Sequence, residues 1–213
     1  MNASHRIFGT TIAALFLVAA CADSSAERPA ASGVAGCPIA QPAALGAGEK
    51  REIVMSTTLG EITFLVDADL SPIAVGNFVA LAECGFYNNV IFHRIAYMQD
   101  GTPFVIQGGD PTGTGMGDPG YKIQDEPVIG EYRRGVLAMA RSAAPNSQGS
   151  QFFIVLDDGA AGPLESVRTY AILGEVTAGL DVVDAIAAVE RDQEDRPVVP
   201  VTILSTTVSS PTP

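Results

Sequence analysis

Alternating apolar and polar positions begin about 50 residues into the chain. Residues 52–56 and 61–66 each alternate in this way, and Thr57-Thr58-Leu59-Gly60 lies between them, which predicts a β-hairpin. Short apolar runs bounded by glycine, proline and polar residues predict six further strands, at 90–95, 103–107, 135–140, 151–156, 169–174 and 199–208.

Two segments have helical periodicity instead. Ser71 and Pro72 are typical of a helix start, as N-cap and first helical residue, and Gly85 is typical of its end. A second amphipathic helix is predicted at about 179–189, where Leu180, Val183 and Ile186 share one stripe.

Many short strands with two helices predict a mainly β fold, a closed antiparallel barrel with the helices over its ends. Periodicity alone is equally compatible with a sandwich of two sheets. The chain contains no internal repeat, and nothing in it predicts a second folded domain.

The first 21 residues are typical of an export signal. His5 and Arg6 precede a mostly apolar run of fourteen residues, 7–20, which is too short for an ordinary membrane-spanning helix. The run ends in Leu17-Val18-Ala19-Ala20-Cys21, which resembles a bacterial lipobox. Cys21 would then be acylated and hold an exported protein at the cell envelope, either on the outer face of the cytoplasmic membrane or in the periplasm or outer membrane. A plain cleaved signal peptide with an incidental cysteine is the alternative.

Residues 22–48 are rich in Ala, Ser, Pro and Gly and predict a flexible tether, followed by a domain over 49–208 and a tail over 209–213. Cys37 and Cys84 are the two remaining cysteines. An exported compartment permits a disulfide between them. Two unpaired thiols are the other possibility.

Charge and residue types narrow the function. The formal net charge is −12, and loss of Arg6 with the signal would make it −13, so we expect no nucleic-acid partner. His93 is the only histidine after the signal and has no nucleophile motif to accompany it, which argues against a hydrolase triad. We expect no metal, because there is no histidine cluster and no cysteine pair at ligand spacing. We expect no cofactor either, and a monomer.

Several motifs, in order along the chain, resemble the cyclophilin family of peptidyl-prolyl cis-trans isomerases. The similarity covers roughly residues 50–208. Its most characteristic parts are Phe92-His93-Arg94, Phe104-Val105-Ile106-Gln107-Gly108-Gly109-Asp110, Gly113-Thr114-Gly115 and Gly149-Ser150-Gln151-Phe152-Phe153. The resemblance implies an eight-stranded barrel capped by two helices, which agrees with the independent strand and helix prediction.

The resemblance also implies a site for proline-containing polypeptides. Its catalytic residues would be Arg94, Phe104 and Gln107, and its substrate-binding residues Val105, Ala140, Gln151, Phe153, Leu164 and Tyr170. Such a site binds and polarises without a covalent intermediate.

Each of these residues also has a purely structural interpretation. Arg94 could be a surface arginine paired with a carboxylate, the phenylalanines could belong to the core, and the glutamines could be ordinary strand hydrogen-bonders. Strand alternation places Phe152 and Phe153 on opposite faces, and we expect Phe153 to form the pocket floor.

One departure from the family pattern concerns Ile95 to Pro103, which is about five residues longer than usual. If this insertion turned Phe104 away, the protein could be a proline-peptide-binding module or holdase chaperone with little catalysis. That function is the alternative to an isomerase.

Overall fold

The structure is a computed structural model that describes Met1 and residues 34–209. Except for Met1, the predicted signal segment with Cys21 lies outside the described residues, and so do 22–33 of the predicted tether and 210–213 of the tail. Among the described residues, no helix has the length and apolar character needed to cross a membrane.

Within residues 34–209, nine antiparallel strands form one sheet in the order β3-β9-β1-β2-β8-β6-β7-β5-β4. They are β1 (Lys50–Thr57), β2 (Gly60–Asp67), β3 (Ile91–Phe92), β4 (Arg94–Tyr97), β5 (Pro103–Gly108), β6 (Val136–Met139), β7 (Phe152–Val155), β8 (Ile172–Ala178) and β9 (Val201–Val208).

The two ends of this sheet meet, so the structure is a nearly closed barrel and not a sandwich. Only His93 separates β3 from β4. The backbone amide of His93 donates to the carbonyl of Gln107, 3.0 Å away, and Ile91 forms an isolated bridge with Asp110. The nine strands correspond to the predicted eight when 91–97 is counted as one strand interrupted at His93.

The first helix, α1 (Pro72–Glu83), begins where the sequence predicts, but its cap is different. The Ser71 hydroxyl donates to the carbonyl of Ile172 and does not cap the helix. The carboxylate of Glu126 accepts the amides of Ile73 and Ala74 at 2.9 and 2.8 Å. A carboxylate 53 residues away in sequence therefore accepts hydrogen bonds from the helix N-terminal amides that a local cap would otherwise bind.

There are three α-helices in the described part of the chain, one more than predicted. The additional helix is α2 (Ala161–Val167), which follows a 3₁₀ turn at Asp158–Ala160. Its sequence, Ala-Gly-Pro-Leu-Glu-Ser-Val, is short and contains glycine and proline, so it has little helical signal. The third helix, α3 (Leu180–Ala187), corresponds to the predicted 179–189.

In the described residues, apolar side chains form two clusters, one on each face of strands β5 and β7. Phe152, Ile154 and Ile106 belong to the interior cluster, whereas Phe153, Val155 and Val105 belong to a second cluster on the other face. Phe152 and Phe153 thus lie on opposite faces, as strand alternation requires.

Residues 34–48, which the sequence assigns to a flexible tether, lie against α1. The structure contains a Cys37–Cys84 disulfide across 47 positions, and the amide of Leu45 donates to the carbonyl of Pro72 at 3.1 Å. A Cβ at Gly76 would come within 2.6 Å of the carbonyl oxygen of Ala43, so only glycine allows this close approach. The small residues of this segment allow it to pack against the helix, which composition alone did not indicate.

Candidate active site

The second apolar cluster contains most of the predicted site residues. Val105, Phe153 and Leu164 are buried in it, and Phe104, Ala140 and Tyr170 are half-buried at its edge. The rings of Phe153 and Tyr170 meet edge to face, with centroids 5.3 Å apart. Six of the nine predicted substrate and catalytic residues therefore share one apolar cluster.

Phe104 and Val105 are consecutive in sequence, yet both pack on this cluster. Strand β4 pairs Ala96 with Val105 and Tyr97 with Pro103, so Phe104 is an extra residue, a β-bulge. Bulges re-aim side chains, because the extra residue breaks the strict alternation of faces.

The insertion after Arg94 extends the β4–β5 hairpin. Its tip is a turn in which the amide of Met98 donates to the carbonyl of Thr102 at 2.9 Å, and the carboxylate of Asp100 accepts the amide of Thr102 at 2.9 Å. Phe104 keeps its place on the apolar cluster, so the insertion does not turn it away from the site.

Arg94 lies at the edge of this apolar surface. It pairs across the ladder with Gln107, which in turn pairs with Phe153. Its side chain is 44% exposed, and its Nη1 lies 3.5 Å from the Gln107 side-chain oxygen. The nearest carboxylate is that of Asp195, whose Oδ2 lies 3.9 Å from Nε. The ion pair considered from sequence is present, but it is partly exposed and leaves the guanidinium at the site.

The two glutamines connect Arg94 to the loop 113–117. The Gln107 side-chain amide donates to the Gln151 side-chain oxygen at 2.8 Å. The Gln151 amide donates in turn to the carbonyls of Gly115 and Gly117, at 3.0 and 2.9 Å. These contacts fix the orientation of both carboxamides and point the Gln107 oxygen at Arg94.

Asp110 holds the same loop from beneath. Its buried carboxylate accepts the amides of Thr112, Gly115 and Gly117 at 2.7, 2.6 and 3.0 Å. Burial by itself would raise the pKa of this carboxyl, but the donors on Gly117, Thr112 and Gly115 outweigh it and hold the pKa below its ordinary range. The glycine-rich loop thus surrounds an internal carboxylate, and several of its amides donate to that group.

A cavity of about 380 Å³ lies beside the second apolar cluster. Gln107, Ala140 and Gln151 line it, Ala140 also packs on the cluster, and the rest of the cavity wall comes largely from 115–118 and 141–150. It offers room for substrate residues that flank a proline.

His93 neighbours Arg94 on the strand but is buried, with no hydrogen-bond partner at either ring nitrogen. Burial lowers the pKa of His93; Asp110 opposes this effect, and Arg196 and Arg94 add to it. A neutral, buried imidazole suits a structural role. No cluster of three or more potential metal ligands occurs in the described residues.

Comparison with known proteins identifies the family. The model of the cyclophilin type peptidyl-prolyl cis-trans isomerases matches residues 52–208. The chain belongs to this family. It is an isomerase of prolyl peptide bonds, and its barrel is the cyclophilin fold.

Relatives occur in eukaryotes and bacteria. The peptidyl-prolyl cis-trans isomerase CYP18-2 of Arabidopsis thaliana is 39% identical over 168 residues, covering 76% of this chain and 95% of the relative. A putative peptidyl-prolyl cis-trans isomerase of Staphylococcus saprophyticus is 35% identical and covers 73% and 90%.

A crystal structure of a cyclophilin type isomerase from Cryptosporidium parvum superimposes with a TM-score of 0.67 at 32% identity, covering 76% of this chain and 98% of that one. The same protein has also been crystallised in the presence of the dipeptide Ala-Pro, with a TM-score of 0.66.

All nine residues proposed from the sequence lie at one site, but two residues beside it were missed. Asp110 was noted only as part of a motif; the closely spaced glycines after it, whose amides can all face one carboxylate, were the available signal. Asp195 follows Arg94 by 101 positions, and nothing in the local sequence indicates that the two meet.

Proposed function

We propose that the enzyme acts by hydrogen bonding from Arg94 to a twisted prolyl amide held against the second apolar cluster. The observation that carries this proposal is the position of a partly exposed guanidinium beside the cluster that contains Phe153. Gln107 and Gln151 orient that guanidinium through the contacts described above.

The chemistry follows from amide resonance. Rotation about a peptide bond has a barrier of about 18–20 kcal/mol, because twisting removes the partial double bond. In the twisted state the lone pair localises on the nitrogen, and an N–H of Arg94 can donate to it. That hydrogen bond exists only near the top of the barrier, so it accelerates the reaction without tightening substrate binding.

The apolar cluster contributes by excluding water from the amide. Water would stabilise the planar amide, because that form is the more polar one. Val105, Phe153 and Leu164 would contact the pyrrolidine ring. Lowering the barrier by ~7 kcal/mol would accelerate rotation ~10⁵-fold. Arginine suits this role better than lysine, since it stays protonated and presents several fixed donors.

Isomerisation of an Ala-Pro peptide in a protease-coupled assay tests this mechanism. We expect Arg94→Ala to lower kcat/KM by about 10²–10³-fold, the usual cost of removing one transition-state donor. Arg133→Ala is the matched control, because Arg133 is an exposed arginine paired with Glu175 outside the site. An Arg94→Ala enzyme as active as the control would refute the mechanism.

We also propose that the protein is exported and anchored by lipid at Cys21, where it assists the folding of proline-containing exported proteins. The lipobox-like sequence supports the anchor, and the Cys37–Cys84 disulfide supports an oxidising compartment. Acyl chains would hold the protein to a membrane, because each buried CH₂ contributes about 0.8 kcal/mol to the binding free energy.

Incorporation of labelled palmitate tests the anchor. The label should be present in the wild type and in Cys37→Ser, and absent from Cys21→Ser. An unlabelled wild type released from the cells would instead indicate a plain cleaved signal peptide.

A further inference from the structure

Asp195 and Gln107 approach the guanidinium of Arg94 at different nitrogens. Gln107 lies at Nη1 and Asp195 at Nε, and neither contact occupies Nη2. An arginine held only by Gln107 could still swing about its long side chain, because nearly half of it is exposed. A second contact at Nε restricts that motion and does not involve Nη2.

The loop that carries Asp195 is docked onto the strand that carries Arg94. The carbonyl of Asp195 accepts the amide of Ile95 at 2.7 Å. Arg191 lies over the ring of Tyr97, 4.2 Å from its centroid, and donates to the carbonyl of Ile95 at 3.3 Å. The residues that follow Arg94 in β4 are thus attached to this loop by backbone and side-chain contacts.

Asp195 itself is held in a defined orientation. Its φ is +63°, a left-handed conformation that is uncommon outside glycine, and such conformations persist where the surroundings impose them. The carboxylate of Asp192 fixes the turn by accepting the amides of Glu194 and Arg196 at 2.8 and 2.9 Å. Arg191 donates a hydrogen bond to Oδ1 of Asp195 at 2.6 Å. The other oxygen, Oδ2, is the one that faces Arg94.

We propose that Asp195 is a positioning residue for Arg94: through Oδ2 it orients the guanidinium for the transition state and does not itself touch the substrate. This inference rests on the proposed role of Arg94. It predicts an effect on the isomerisation step and little effect on peptide affinity, because Asp195 lies outside the apolar cluster that would hold the proline.

The test compares Asp195→Asn with Glu194→Gln in the full chain. Both variants remove one negative charge from the same turn, but the Glu194 side chain is exposed and makes none of the contacts above. NMR exchange on an Ala-Pro peptide separates peptide affinity from the rate of isomerisation on the enzyme.

We expect Asp195→Asn to slow bound isomerisation by ~3- to 10-fold, with peptide affinity unchanged within about twofold. Glu194→Gln should match the wild type. Asp195→Glu, which keeps the charge, should recover part of the lost rate.

A double-mutant cycle distinguishes positioning from general loosening of the loop. In an Arg94→Ala background, Asp195→Asn should have no further effect on the rate, whereas a merely structural role would lower it again. Asp195→Asn at the wild-type rate, or an equal loss in both backgrounds, would overturn the inference. Full activity of Arg94→Ala alone would instead refute the proposed mechanism.

Discussion

At the scale of single residues, Asp110 is the point from which the site is supported. It holds the loop 113–117, the loop holds Gln151, and Gln151 holds Gln107 beside Arg94. The packing is tight, since a Cβ at Gly117 would come within 2.0 Å of the Asp110 carboxylate. This series of hydrogen bonds links a buried charge to the partly exposed guanidinium of Arg94.

We predict that Asp110→Asn weakens both stability and catalysis. An amide nitrogen cannot accept the loop amides, so the variant should lose about 1–3 kcal/mol of unfolding free energy in denaturant titrations. Its kcat/KM should fall severalfold as Gln151 loses its fixed partners. Asp100→Asn, the same change in the exposed turn of the β4–β5 hairpin, is the control. Equal behaviour of the two variants would contradict this account of the loop.

His93 predicts a pH dependence of stability. Its pKa in the folded protein lies below the ordinary 6.5, so below about pH 6.5 the unfolded chain binds a proton that the folded chain does not. The contribution of His93 to the unfolding free energy is therefore complete above pH 6.5, and it is lost progressively as the pH falls toward the lowered pKa.

The slope should disappear in His93→Phe, measured as unfolding free energy between pH 7.5 and 5. Asp110 does not interfere in this range. Its lowered pKa means that its contribution is present above the ordinary 3.8 and is lost only in stronger acid. Identical slopes in wild type and His93→Phe would show that His93 does not titrate as proposed.

At the scale of elements, the bulge at Phe104 shows where prediction from sequence ended. Strand positions, the start of α1 and the opposite faces of Phe152 and Phe153 follow from local patterns of apolar residues. Strict alternation, however, would place Phe104 and Val105 on opposite faces, and only the pairing with β4 reveals the extra residue. The Glu126 cap and the short helix α2 were also missed, because long-range contacts and not local propensity determine them.

The disulfide attaches the segment before β1 to the end of α1, and we predict that it contributes to stability but not to catalysis. Reduction should lower the unfolding free energy by about 2–4 kcal/mol, the typical value for a bridge that closes a long loop. Cys37→Ser/Cys84→Ser should be equally unstable and unaffected by reductant. Both forms should keep their isomerase activity, since neither cysteine packs on the second apolar cluster. An unchanged denaturation midpoint on reduction would contradict the prediction.

At the scale of the whole molecule, the order of strands in the sheet assembles the site. Arg94, Ala140, Phe153 and Tyr170 come from separate segments and meet because β4, β5, β7, β6 and β8 are consecutive neighbours in the sheet. The family resemblance made these residues identifiable from sequence. Asp195, the ion-pair partner of Arg94, was not identifiable, because the 188–200 loop reaches β4 only in the folded barrel.

The central claim is that Arg94 stabilises the twisted amide and not the bound peptide. NMR exchange on an Ala-Pro peptide with wild type, Arg94→Lys and Arg94→Ala measures affinity and bound isomerisation rate separately. The account predicts peptide affinity within about twofold for all three, with the bound rate ~10²-fold lower or more in Arg94→Ala and Arg94→Lys in between. A loss that lies entirely in peptide affinity, with the bound rate unchanged, would contradict it.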